Sequence, residues 1–156
     1  LMPQQIVLKD SKGTRHMFDF GPYEKVIGDI GIQTWASMLL PPGEYKITEI
    51  NGITDVGSYG LMPVEGNFSA EPNKSFILYP GEIVYLGSIT AELVKKQFED
   101  QNDAGEVFPY FDQRITGLSS GTFFFRVLDE SDKDIPFLNY RYPHIASFGI
   151  SRRTLE

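Results

Sequence analysis

The chemistry open to this chain is bounded by its scarcest side chains: it has two histidines, His16 and His144, and no cysteine. A nucleophile needs a base within hydrogen-bond reach, and neither imidazole stands in a recognisable setting. His16 flanks a turn and is expected at the surface, while His144 follows Tyr142-Pro143 and is expected to cap or pack at a helix end. The lack of cysteine removes disulfides, thiol catalysis and cysteine-based zinc sites. Carboxylates are abundant, among them Glu92, Glu99, Asp100, Asp103, Glu106 and Asp112. Two of them flanking a glycosidic bond would make a carboxylate-dependent hydrolase, but nothing in their spacing selects a pair, and solvated loop acids are the better reading.

One acidic stretch has the outline of a calcium loop. DQNDAG, from Asp100 to Gly105, follows the pattern D-x-[DN]-x-[DN]-G until its fifth position, which is Ala104, and the twelfth position is Phe111 where a bidentate glutamate is required. That excludes an EF-hand and leaves Asp100, Asn102 and Asp103 as a weaker candidate calcium site; no other cofactor is expected. The aromatic residues offer binding rather than catalysis. VFPYF is the candidate interaction surface, through Val107, Phe108, Tyr110 and Phe111, because such a run, if exposed, is an apolar patch that calls for a partner. Trp35 and Tyr59 are candidates for stacking on a sugar ring, against the commoner use of such rings in a core.

These residues have to be positioned by a fold of modest size. A chain of 156 residues suits one domain and can bury about 70% of the surface its unfolded form exposes. Its 12 Phe and 8 Tyr argue against disorder, and its 15 Gly and 10 Pro imply many turns, a combination that favours an all-β domain. The net charge of −7, with 14 scattered Lys and Arg, weighs against nucleic acid as a partner. No apolar run is long enough to span a bilayer, and Leu1-Met2-Pro3 opens without the charged and apolar regions of a leader, as a mature or trimmed chain would.

The pattern along the chain is mostly that of strands. Ile6 to Leu8 and His16 to Phe20 read as strands about a turn at Lys12-Gly13. The second half of the Lys25 to Leu40 segment, ending at Pro41-Pro42, reads as another strand. Tyr45, Ile47 and Glu49 share one face of the next, which is expected to turn at Asn51-Gly52. Thr54 to Asn73 is either a long loop or a hairpin with an irregular edge. The apolar run beginning at Ile83 is expected to be a central strand to about Leu93, with Gly87 marking a bulge or a close approach. A polar connection, Lys95 to Glu106, precedes a strong strand at Gly121 to Leu128. Ile135, Leu138 and Tyr142 then fall at helical spacing before Pro143, with Asp134 the expected N-cap so that Pro136 lies in the first turn. Phe148 to Leu155 is expected to add an edge strand. The two Pro-Gly-Glu segments, at Gly43 and Gly81, read as one physical solution used twice: proline fixes φ and glycine permits the corner.

LPPGEYKI, FILYPGEIVYLGSI, FRVLDESDKDIPFLNYRYPHI and the final RRTL resemble a loose group of uncharacterised bacterial envelope proteins and lipoproteins. The matching positions are Pro42, Gly43 and Tyr45; Pro80, Gly81, Glu82, Tyr85 and Gly87; and Asp129, Asp134, Leu138, Tyr142 and Pro143. The resemblance implies a prealbumin-like, carboxypeptidase-regulatory-like β-sandwich in the periplasm or on the cell surface, where a lipid-anchored form would carry its acylated cysteine upstream of Leu1. Together with the residues, it sets the expectation of a single antiparallel β-sandwich domain over residues 1–156 with one short C-terminal helix. The expected role is non-enzymatic, in protein interaction or assembly with an envelope protein or a second copy. A carbohydrate-binding module is the alternative.

Overall fold

The computed structural model describes residues 2–20, 26–28, 31–33, 35–59, 62–105, 107–108 and 121–155. Strands dominate, in antiparallel sheets, with short helical structure near the C-terminus. The principal sheet is built around one long strand, β5 (Gly43–Tyr59). Along one side runs β1 (Met2–Asp10), itself paired with β2 (Arg15–Asp19). Along the other lie β6 (Met62–Ala70) and β7 (Lys74–Leu78), placed end to end on β5. Every one of these pairings is antiparallel.

Period-two alternation explains the core. Ile6 and Leu8 of β1 share a face with Tyr45 and Ile47 of β5, and with Leu155 they form the buried cluster. Val7 points the other way, opposite Met17 and Glu49, yet is as fully buried as Leu8 and Ile47. Burying side chains of this size contributes about 2 kcal/mol each.

The second layer is the antiparallel pair β9 (Ser88–Lys95) and β11 (Gly121–Leu128), in unbroken register from Ser88↔Leu128 to Lys95↔Gly121. Its Ile89 and Val127 pack on the core of the principal sheet, and Phe123 meets Phe68 with ring centroids 5.5 Å apart. Two antiparallel sheets meeting through such inward residues make the expected sandwich. Ala104 joins the layers: its N–H donates to the Gly121 carbonyl and its carbonyl accepts from the Ser69 N–H, both at 2.9 Å. Small pairings add β3 (Val26–Gly28) with β4 (Gly31–Gln33), and β8 (Val84–Tyr85) with β12 (Ser151–Arg152), the latter parallel, while β10 (Val107–Phe108) extends the principal sheet beyond β6.

Several local expectations are corrected. Residues 35–40 are not a strand; the strands of that region are β3 and β4, further upstream. Asn51-Gly52 does not turn, because pairing on both sides, Gln5 and Ser69 about Asn51 and Pro3 and Phe68 about Gly52, holds it inside β5. The chain from 54 onward is a hairpin with an irregular register between Asp55 and Ser58. The apolar run after Ile83 is not one central strand but two short-sheet strands, β8 and β9, broken at Leu86-Gly87. Gly87 has φ 99°, and a Cβ there would stand 2.9 Å from Val127 Cγ1, so the expected close approach is present.

The two Pro-Gly-Glu segments also differ. Gly81 has φ 71° in a tight turn, whereas Gly43 is the first residue of β5, paired with Leu78. The first segment is held instead by Tyr45, whose hydroxyl donates to the Pro41 carbonyl at 2.7 Å. Helix α1 (Ser131–Arg141) begins earlier than expected, with Glu130 at the N-cap position, and Pro136 lies in its second turn. Asp134 does not cap; it is buried inside the helix as the acceptor of a tertiary hydrogen bond. The preceding Asp129 accepts the Ser131 N–H at 3.0 Å, and its bonds to Ser131 hold its carboxyl below the ordinary range. After α2 (Pro143–Ala146), the final strand is only the two residues of β12. His16 is half-buried rather than exposed, its Nε2 3.4 Å from Asp10 Oδ2 and its ring edge-on to Tyr45. Asp10 also accepts the N–H groups of Lys12 and Thr14, and the Thr14 bond does most to hold its carboxyl low.

Candidate interaction site

A connected set of polar contacts surrounds the second Pro-Gly-Glu turn. Tyr79 and Glu82 close the turn reciprocally: the Glu82 N–H donates to the Tyr79 carbonyl at 3.3 Å, and the Tyr79 N–H donates to Glu82 Oε2 at 3.2 Å. The other carboxylate oxygen of Glu82 accepts from Arg153 Nη2 at 2.7 Å, while Arg153 Nη1 donates to the Ile77 carbonyl at 2.6 Å. The same guanidinium lies over the Tyr79 ring, 4.7 Å from its centroid. A planar fork can serve a carboxylate, a carbonyl and a ring face together; an ammonium cannot.

Backbone pairing brings Arg153 to this turn. The N–H groups of Ser151, Arg153 and Leu155 donate to the carbonyls of Ile83, Tyr85 and Leu86, at 2.8, 2.9 and 3.1 Å. Helix α1 is tied to the same strand from its other side, because the buried Tyr85 hydroxyl donates to Asp134 Oδ2 at 2.6 Å. Burial, first, and then the neighbouring Asp134 carboxylate push the Tyr85 phenol well above its ordinary range, so it is a fixed donor.

Between the turn and the chain that follows α2 lies an open cleft of about 340 Å³, lined by Pro80 to Ile83 on one side and Phe148 to Ser151 on the other. Phe148, 71% exposed, forms part of its wall. The cleft has a lining more polar than apolar and is open to solvent, so what it presents is the exposed Phe148 ring beside the polar turn. It offers no free acid from Glu82, whose oxygens are both engaged. His144 is exposed and edge-on to Tyr142, and neither imidazole bonds a serine or threonine hydroxyl among the described residues.

The residues singled out from sequence fall elsewhere. Val107 and Phe108 form β10, whose backbone pairs with Glu65 and Gly66 of β6; Tyr110 and Phe111 lie outside the described residues. Tyr59 is in β5, with its side chain outside the described set. Trp35 is half-buried and stacked on Phe137 of α1, centroids 5.5 Å apart, so one of its faces is already covered. In the acidic loop, Asn102 donates to Glu71 at 2.8 Å, Lys96 pairs with Asp103, and Gln101 accepts the N–H groups of Gln97 and Phe98. No group of three or more His, Asp or Glu placed to hold a metal ion occurs among the described residues. Nor is any helix among them long and apolar enough to cross a membrane. Sequence reasoning missed Glu82, Arg153 and Phe148 as a group. The letters were visible, as a turn glutamate and the Arg152-Arg153 pair, but nothing local links residues 71 positions apart.

No protein-family model matches this chain, and no curated protein or solved structure shows significant similarity to it.

Proposed function

We propose that this chain is a bacterial cell-envelope domain that acts by binding protein and carries out no reaction of its own. The observation that supports this reading most is the cleft walled by Phe148: an exposed ring beside a turn that Arg153 and Glu82 hold rigid. Exposed rings next to a preformed depression are the usual anchors of protein interfaces. The envelope setting follows from the resemblance of the turn and helix motifs. The glycan reading rests on Trp35, one face of which is stacked on Phe137, and on Tyr59, whose side chain lies outside the described residues.

Chemical crosslinking in cells carrying the full-length protein tests the role. The wild type is expected to give a discrete product distinct in mass from two copies of the chain. Phe148→Ser is expected to abolish that product while leaving the melting point unchanged, because surface substitutions of this kind stay within about 0.5 kcal/mol. No such product from the wild type, or equal yield from the variant, contradicts the proposal.

A further inference from the structure

We infer that the open edge of β2 is a homodimer interface, pairing antiparallel with β2 of a second copy about a two-fold axis through Met17. This goes beyond the interaction role proposed above, since it concerns a different surface and a second copy of the chain.

Among the described residues β2 is the last strand on its side of the principal sheet. Its pairing with β1 is bracketed by two backbone bonds, Asp10 N–H to the Thr14 carbonyl and Phe20 N–H to the Gln4 carbonyl. Antiparallel hydrogen-bonded pairs recur at every second residue, so His16 and Phe18 spend their backbone groups on β1, opposite Leu8 and Ile6. Arg15, Met17 and Asp19 therefore turn their N–H and C=O groups outward.

Those three residues are self-complementary. Charges on an edge strand ordinarily discourage pairing. Here the opposite charges are symmetric in position about Met17, which is 60% exposed. A two-fold antiparallel pairing sets Arg15 against Asp19 of the second copy at both ends and Met17 against its own counterpart. Each of these is then a hydrogen-bonded pair, exchanging both backbone bonds. Sliding by one residue puts the outward groups out of phase, and sliding by two takes an arginine or an aspartate against methionine, so the register is specified. Within the chain, Arg15 is steadied by Glu49 at 3.3 Å and Asp19 by Gln5 at 3.1 Å, which keeps both on the solvent face. Opposite charges directly across a strand pair are stabilising, and like charges are not.

Sedimentation velocity of the purified full chain, from micromolar to millimolar, tests this. The wild type is expected to show a concentration-dependent dimer. Met17→Pro, which removes an N–H that β1 does not use and so suits an edge strand, is expected to be monomeric. Asp19→Arg and Arg15→Asp, each alone, place like charges across the axis and are expected to weaken dimerisation about tenfold or more. Mixing these two proteins is expected to restore the dimer, which holds even if the proline variant fails to fold. A wild type that stays monomeric, charge variants that dimerise as well as the wild type, or a mixture that stays monomeric overturns the inference. A monomeric wild type that still gives the Phe148-dependent product separates this failure from that of the interaction role, since that product is distinct from two copies of this chain.

Discussion

Gly87→Ala is expected to destabilise the fold by about 3–4 kcal/mol, combining the cost of a left-handed backbone with that of overpacking. Two separate features of the site add. The residue has φ 99°, a conformation that L side chains rarely adopt, and the new methyl would meet Val127 Cγ1 at 2.9 Å, the Leu128 carbonyl at 3.1 Å and Thr154 Cγ2 at 3.2 Å. The Leu128 carbonyl belongs to the β9–β11 sheet and Thr154 to the C-terminal segment, so relief would require the two to part. Gly81→Ala isolates the first feature, because Gly81 has φ 71° and nothing within 4 Å of its ideal Cβ. That variant is expected to lose about 1 kcal/mol. In thermal denaturation the Gly87 variant is expected to melt roughly 10 °C below the wild type, given about 2–4 °C per kcal/mol for a chain of this size. Equal losses for the two variants would mean that Gly87 is not crowded as described.

The second large effect is expected from Tyr85→Phe, at about 2–3 kcal/mol, the range for losing a hydrogen bond to a charged group. The Asp134 carboxylate is 2% exposed, and the Tyr85 hydroxyl reaches it at 2.6 Å. Removing the hydroxyl leaves that buried acceptor without its donor, which costs more than the bond itself contributes. Asp134→Asn keeps an acceptor oxygen for the tyrosine and relieves the buried charge, so its loss should be smaller. The double variant Tyr85→Phe with Asp134→Leu is expected to be more stable than Tyr85→Phe alone, since replacing both partners by apolar groups removes the unsatisfied oxygen. Urea denaturation of the wild type and these variants measures this. A double variant as unstable as the sum of its parts would contradict the pairing.

How far the fold was legible follows from where its causes lie. The strands at Ile6, His16, Tyr45 and Gly121 were readable because period-two alternation is a local signal, and the Gly81 corner because a positive φ after proline is a local demand. Asn51-Gly52 misled because its turn propensity yields to pairing on both sides, with β1 from the start of the chain and with the returning arm of the longer β5–β6 hairpin. The break at Leu86-Gly87 was half visible: the glycine announced a close approach, but only the fold supplies Val127 and Thr154 as its cause. Asp134 looked like a cap because it precedes Pro136, and became an internal acceptor because Tyr85, far back in the chain, lies against the helix. The candidate site was less legible still. Exposed and core aromatics look alike in a sequence, and Phe148 became the interesting ring only once the C-terminal segment ran beside the turn.

The interaction role is tested most directly by placing a photo-crosslinking amino acid at position 148 in the full-length protein and, separately, at the exposed turn residue Lys12, then irradiating living cells. The proposed function predicts a single adduct with a different protein from position 148 and no adduct with a different protein from position 12. No adduct from position 148, or the same adducts from both positions, would contradict it.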